Sequence, residues 1–360
     1  MPPTDSRRSD ASTSPRRTLG AVPALDGVRG AAILGVLANH WVFIVSGREL
    51  GPFKGGFLAV DLFLVLSGFL ITSTLLREYD RTATIEFAQF AKRRLRRLLP
   101  PMALFFAVHA AVVAAIGDPL RNELTQAVLA LTFTGNWQQT LGNRPPFDLV
   151  HLWSLALEGQ MYLIWGAAVF LLRRHLSDPR GVVAGVIALV VAIAVWRSGW
   201  FVADVDLDAL YVRTDTRADS ILIGAIGAFV WRSGLMSTRW AGVGGVVALL
   251  ASIVIWVTSV RDSLFTFSIG FTIVALLGLI IVWGVLEPGS PIATVMGAAP
   301  LRWTGKVSYS LYLWHLPIFV WSARALPDIS DLARFAGAVV ASFLAASLSY
   351  LLSERPFLKR

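Results

Sequence analysis

Apolar runs of about 18 or more residues recur along this chain from Leu25 almost to its C-terminus, separated by short stretches rich in Arg, Asp, Gly and Pro. A helix of about 20 residues spans the hydrocarbon of a bilayer, so each run is long enough to cross one. The pattern predicts ten helices, at roughly 25–46, 57–76, 100–117, 151–172, 181–197, 216–231, 240–259, 265–286, 305–323 and 333–352. One apolar stretch fits less well. LTQAVLALTF, inside 121–140, is followed by Gly135, Asn136, Trp137 and two Gln, and is expected to form a short outer or re-entrant helix. The fold class expected is an all-α membrane protein with about ten transmembrane helices and no soluble C-terminal domain.

Composition agrees. The chain has 360 residues, 55% hydrophobic and 15% charged, and no Cys; its mean hydropathy is +0.64. A soluble domain carries roughly 25% charge, so soluble dinucleotide-binding and zinc-finger architectures are excluded. The formal charge of +9 is chiefly a matter of topology. With ten spans, the segments on the side of the termini hold 21 of the 32 Lys and Arg, and the other side holds 10. The positive-inside rule then places both termini in the cytoplasm, with anionic lipid rather than nucleic acid as the partner of the basic face. Residues 1–20, rich in Ser, Pro and Arg, read as a disordered cytoplasmic tail, and 358–360 as a cytoplasmic end. The first apolar stretch contains Asp26, Arg29 and His40 and is no ordinary signal peptide. No inverted internal repeat is evident.

Charged groups inside lipid cost on the order of 2.5–3.5 kcal/mol each, so they mark function. On the first helix, Arg29 and His40 are eleven steps apart; at about 100° and 1.5 Å per step they share a face, about 16 Å apart. Counting inward from the outer ends of the spans puts His40, Asp61, Glu158 and His315 at similar depth, roughly 6–12 Å below the boundary. On one helix Ser154, Glu158 and Tyr162 follow i, i+4, i+8 and line one face. Such a set suits general base catalysis, an imidazole taking a proton from a hydroxyl while a carboxylate steadies it; a structural polar clamp is the other reading. His109 has no sequence-evident partner and reads as packing. His151 reads as an interfacial residue, and the five His give no metal site. In KRRLRRLLPP, Arg93, Arg96 and Arg97 share a helical face at i, i+3, i+4. That face is either a lipid anchor or a clamp for the phosphates of a polyanionic donor.

Taken in order, the motifs resemble integral-membrane acyltransferase family 3, which includes bacterial envelope-glycan O-acetyltransferases and macrolide acyltransferases. The resemblance rests on LDGVRGAAILGVLANH with Arg29 and His40, GGFLAVDLFLVLSGFLIT with Asp61, Ser67 and Gly68, RRLRRLLP, HLWSLALEGQMYLIW with Ser154 and Glu158, RADSILIGA with Arg217 and Asp219, KVSYSLYLWHLPI with Ser308, Tyr312 and His315, and SYLLSERPF with Glu354. The family's second acidic residue after the Trp-Ser…Glu element is here Gly159. Many relatives append an SGNH-hydrolase-like domain; none is expected after the acyltransferase domain over 21–357.

The resemblance implies transfer of an acyl group, most often acetyl, from cytoplasmic acyl-CoA to a hydroxyl of an extracytoplasmic glycan, glycolipid or hydrophobic natural product. Acyl-CoA would be a co-substrate, with no permanently bound cofactor. His40, Glu158 and Asp61 would form the catalytic set, His40 and Glu158 acting as one unit. Arg29, Arg93, Arg96 and Arg97 would hold the donor. Ser154, Tyr162, Arg217, Asp219, Tyr312 and His315 would line the pocket or bind acceptor. A proton-coupled transporter or flippase is the rival reading. Either would sit as a multi-pass protein in the cytoplasmic membrane.

Overall fold

The computed structural model describes residues 17–46, 53–175, 178–234 and 240–358. Most of the expected tail over 1–20, and Lys359 and Arg360, lie outside the described residues. Helices α1 (Pro23–Ser46), α2 (Ala59–Thr82) and α3 (Phe87–Ala115) open the chain, followed by short α4 (Leu120–Leu131) and α5 (Gly135–Thr140). A 3-10 turn over Phe147–Leu152 leads into α6 (Trp153–His175). Next come α7 (Pro179–Val202), short α8 (Leu207–Val212), α9 (Thr214–Arg232), α10 (Ala241–Thr258) and α11 (Phe271–Leu286). Short α12 (Pro291–Met296) and α13 (Ala299–Lys306) precede α14 (Ser308–Ala325) and α15 (Asp331–Ser349), which runs on through a wide turn into α16 (Arg355–Leu358). No strand occurs among the described residues.

The ten long helices among the described residues coincide with the ten predicted spans, and 121–140 folds as two short helices rather than a span. Eight of the ten are long and apolar enough to cross a membrane by themselves. The other two are α9 and α14, and burial accounts for both. Helix α9 carries Asp215, Arg217 and Asp219 but is enclosed by α2, α7 and α11. Helix α14 carries His315, which is fully buried. Neither needs a lipid-compatible surface all round. Outward-facing α7, α10 and α15 instead present large exposed apolar side chains, such as Val195, Leu250 and Leu344, as a lipid-facing surface requires. The protein is a multi-pass membrane protein.

Helices α2 and α9 pack with their backbones in direct contact. A Cβ on Gly68 would lie 2.0 Å from the Ile221 carbonyl oxygen, and one on Gly224 2.0 Å from that of Val65. Small residues permit this backbone contact, the usual means of association where lipid offers no hydrophobic drive. Two ion pairs lock α9 in place. Arg217 Nη2 bonds both carboxylate oxygens of Asp61 on α2 at 2.9 and 3.0 Å, and Ser220 adds a 2.6 Å bond to the same carboxylate. Arg197 on α7 donates to Asp219 at 2.9 Å and to three backbone carbonyls, with Thr272 donating to the same carboxylate. All four charged side chains are fully buried.

Candidate active site

Two cavities sit at successive levels along α1. The first, about 90 Å³, is basic: Arg29 of α1, Arg94 and Arg97 of α3, Ser67 of α2, and Ser154, Glu158 and Tyr162 of α6 line it. The i, i+4, i+8 face expected on α6 is thus present, and it looks into this cavity. Glu158 accepts hydrogen bonds from the Ser67 hydroxyl and the Tyr162 phenol. Arg29 pairs with Asp26 at 3.0 Å, and the Arg94 guanidinium lies over the rings of Tyr162 and Phe90 at 5.2 and 5.6 Å. Three guanidinium groups around one carboxylate leave the cavity net positive.

The second cavity, about 340 Å³, is larger and aromatic. His40 and Phe43 of α1, Phe57, Trp153, Tyr211 and His151 are among its lining residues, and Lys54, Arg144 and Arg261 add cations. Arg144 and Arg261 are tied together through Asp208, at 3.1 and 2.6 Å. Val60 and Tyr312 line both cavities, so a thin partition separates them. The Tyr312 hydroxyl lies 2.7 Å from the Ser154 hydroxyl and donates to the His151 carbonyl at 2.6 Å.

At that partition His40 Nδ1 meets His315 Nε2 at 2.7 Å. His315 Nδ1 lies 2.8 and 3.0 Å from the carbonyls of Tyr312 and Leu311, which can only accept, so this nitrogen carries the proton. With both rings neutral, His315 Nε2 is then the acceptor and His40 Nδ1 the donor. His40 Nε2 is left with its lone pair on a ring that lines the aromatic cavity. The backbone of α14 thereby fixes the tautomer of a base two rings away. Both His315 nitrogens are committed, which makes it a positioning residue. His151 closes the group, its ring centroid 6.4 Å from that of His40 and 5.2 Å from that of His315.

Several expectations are corrected here. Glu158 is not joined to His40; its hydroxyl partners lie on α2 and one turn along its own helix, and they satisfy the carboxylate within the basic cavity. The single polar layer resolves into three places, because equal depth on different helices does not fix which way each face points. Asp61, Arg217 and Asp219 lie in the α2–α9–α7 core, and other residues line the two cavities. Arg93 turns away to Glu78 at 3.1 Å and Arg96 is exposed, so Arg94 takes their place beside Arg97. Arg197 is not among the residues the sequence singles out; an Asp inside α9 with no cation on its own face is the signal that points to it. A Cβ on Gly159 would lie 2.3 Å from the Phe133 ring, which fills that space.

A sequence profile described as an acyltransferase domain matches residues 22–354. The chain belongs to this acyltransferase family. The peptidoglycan O-acetyltransferase OatA of Listeria monocytogenes is 32% identical over 356 residues, covering 94% of this chain and 56% of that protein. The O-acetyltransferase OatA of Staphylococcus aureus is 31% identical over 376 residues, covering 99% and 60%. The chain thus spans less than two thirds of the length of these relatives. No solved structure matches it.

Proposed function

We propose that this protein is an O-acyltransferase of the cytoplasmic membrane that moves an acetyl group from acetyl-CoA to a hydroxyl of a cell-envelope glycan. In this reading both termini and the basic cavity face the cytoplasm, anionic lipid meets the basic face, and Arg29, Arg94 and Arg97 hold the donor's phosphates. The aromatic cavity opens outward and takes the glycan, whose sugar faces stack on rings such as Trp153 and Tyr211. The thioester arm crosses at Val60 and Tyr312. His40 Nε2 removes the acceptor's proton, the oxygen attacks the thioester carbonyl, the C–S bond breaks, and the imidazolium returns the proton to the thiolate. The products are a glycan ester and free CoA.

The observation that carries the reading is the partition: arginines on one side, the His40–His315 pair on the other, and two residues common to both. The name of the Listeria relative supports a peptidoglycan acceptor. The test is transfer of radiolabel from acetyl-CoA to soluble peptidoglycan fragments by the full chain in liposomes. His40→Ala should lose about 10²–10⁴-fold in rate, the range of general base catalysis, while still binding CoA. His315→Ala should be severe too, and the double variant no worse than His40→Ala, because groups acting as a unit are non-additive. Near-normal transfer by His40→Ala would overturn the assignment.

A further inference from the structure

A buried charge cluster stands apart from both cavities. His109 of α3 is fully buried, its ring 5.5 and 5.2 Å from those of Phe105 and Trp321. Its Nδ1 lies 2.7 Å from the Glu123 carboxylate of α4, and its Nε2 lies 3.1 Å from the Asp148 carboxylate in the turn before α6. An imidazole facing a carboxylate at each nitrogen requires a proton on both nitrogens or on one carboxylate. Simple packing calls for no such arrangement, and burying three ionisable groups is costly unless they hold one another. Burial pushes the Glu123 carboxyl above its usual range, while His109 opposes that shift.

We propose that His109 and Asp148 are positioning residues for the acyl transfer, the Asp148 side chain anchoring the 147–152 turn that frames the imidazole pair. This rests on the function proposed above. The connection is continuous. Asp148 and His151 share the one turn. The His151 carbonyl accepts from the Tyr312 hydroxyl, the Tyr312 carbonyl accepts from His315, and His315 accepts from His40. A shift of the turn therefore moves Tyr312 at the partition and, through α14, the ring that sets the tautomer of the base.

The experiment uses the full chain in liposomes with acetyl-CoA and a soluble peptidoglycan disaccharide. Asp148→Ala should lower kcat about tenfold to hundredfold, as small misplacements of reacting groups do, with the KM for acetyl-CoA within about twofold. Asp148→Asn keeps an acceptor oxygen for His109 and should recover to within about threefold of wild type. An Asp148→Ala enzyme with wild-type kcat, or an Asp148→Asn enzyme no better than Asp148→Ala, overturns the proposal. Should Asp148→Ala fail to fold, the His109→Leu/Glu123→Leu double variant carries the same expectation for kcat. Imidazole ¹⁵N spectra supply a readout independent of activity: Asp148→Ala should move the ring resonances of His40 and His315, and unmoved resonances overturn the proposal. If wild-type protein transfers no label, the acyltransferase reading fails and these spectra alone decide the positioning claim.

Discussion

Asp61 and Arg217 provide a quantitative test of whether a motif residue of this chain serves structure or chemistry. Removing the Asp61 carboxylate strips Arg217 of both its ionic hydrogen bonds, leaving a fully buried guanidinium whose Nε and Nη1 already lack partners. What remains is the face of Phe271, 3.6 Å from the guanidinium carbon, together with Tyr211 at 5.2 Å and Trp153 at 5.9 Å. Cation–π contact in a desolvated site contributes about 2 kcal/mol, too little to offset the loss. Asp61→Ala should therefore destabilise by about 3–5 kcal/mol, the range for an orphaned buried charge. Replacing both partners by apolar residues of similar size, as Asp61→Leu with Arg217→Met, should recover most of that, since the desolvation cost disappears with the charges. The coupling energy from the double-mutant cycle should be at least about 3 kcal/mol, far outside the few tenths expected of independent sites. Equilibrium unfolding in mixed micelles measures it, alongside acetyl transfer by the folded fraction. Additive losses would refute the argument from burial. A double variant with native stability but no transfer would refute the placement of the pair outside the chemistry.

Two further outcomes follow from the same geometry. Arg94→Ala with Arg97→Ala should raise the KM for acetyl-CoA more than it lowers kcat, as loss of uniform binding does, whereas Arg93→Ala with Arg96→Ala should leave both near wild type; steady-state kinetics separates them. Asp215, at the start of α9, is partly desolvated, but bonds from Arg213 and Trp196 outweigh that and hold its pKa below the usual carboxylate range. A lowered pKa stabilises the fold above the unfolded value near 3.9 and is lost as pH falls through the folded one. Asp215→Asn should therefore melt below wild type at pH 7, and the gap should close in acid; a gap constant down to about pH 2 would contradict the assignment.

The helices were legible because a lipid-facing helix must advertise itself: ten apolar runs became ten long helices, and the polar tail of 121–140 was enough to mark a non-span. Features confined to one helix were equally plain. Arg29 and His40 share a face of α1 and line successive cavities, and Ser154, Glu158 and Tyr162 share a face of α6. Pairings between helices were not legible. Depth along the bilayer normal puts Asp61, Glu158 and His315 level with His40, and only the rotation of the helices about their axes decides for His315 over the expected Glu158. His109 shows the same limit, since its partners lie on α4 and in a turn 39 residues away, neither of which a helical period links to α3.

The buried pairs of α9 also bear on how the protein is made. Alone, α9 would enter the bilayer with Arg217 and Asp219 unneutralised, at a cost of several kcal/mol. Both of its partners come earlier in the chain: Asp61 on α2 and Arg197 on α7 have already been synthesised when α9 emerges. Insertion and assembly thus become one event for this helix, because it becomes compatible with the membrane only by docking onto helices that preceded it. A chain from which α7 had been deleted would leave Asp219 of α9 without Arg197, whereas the native order of synthesis presents a prepared slot.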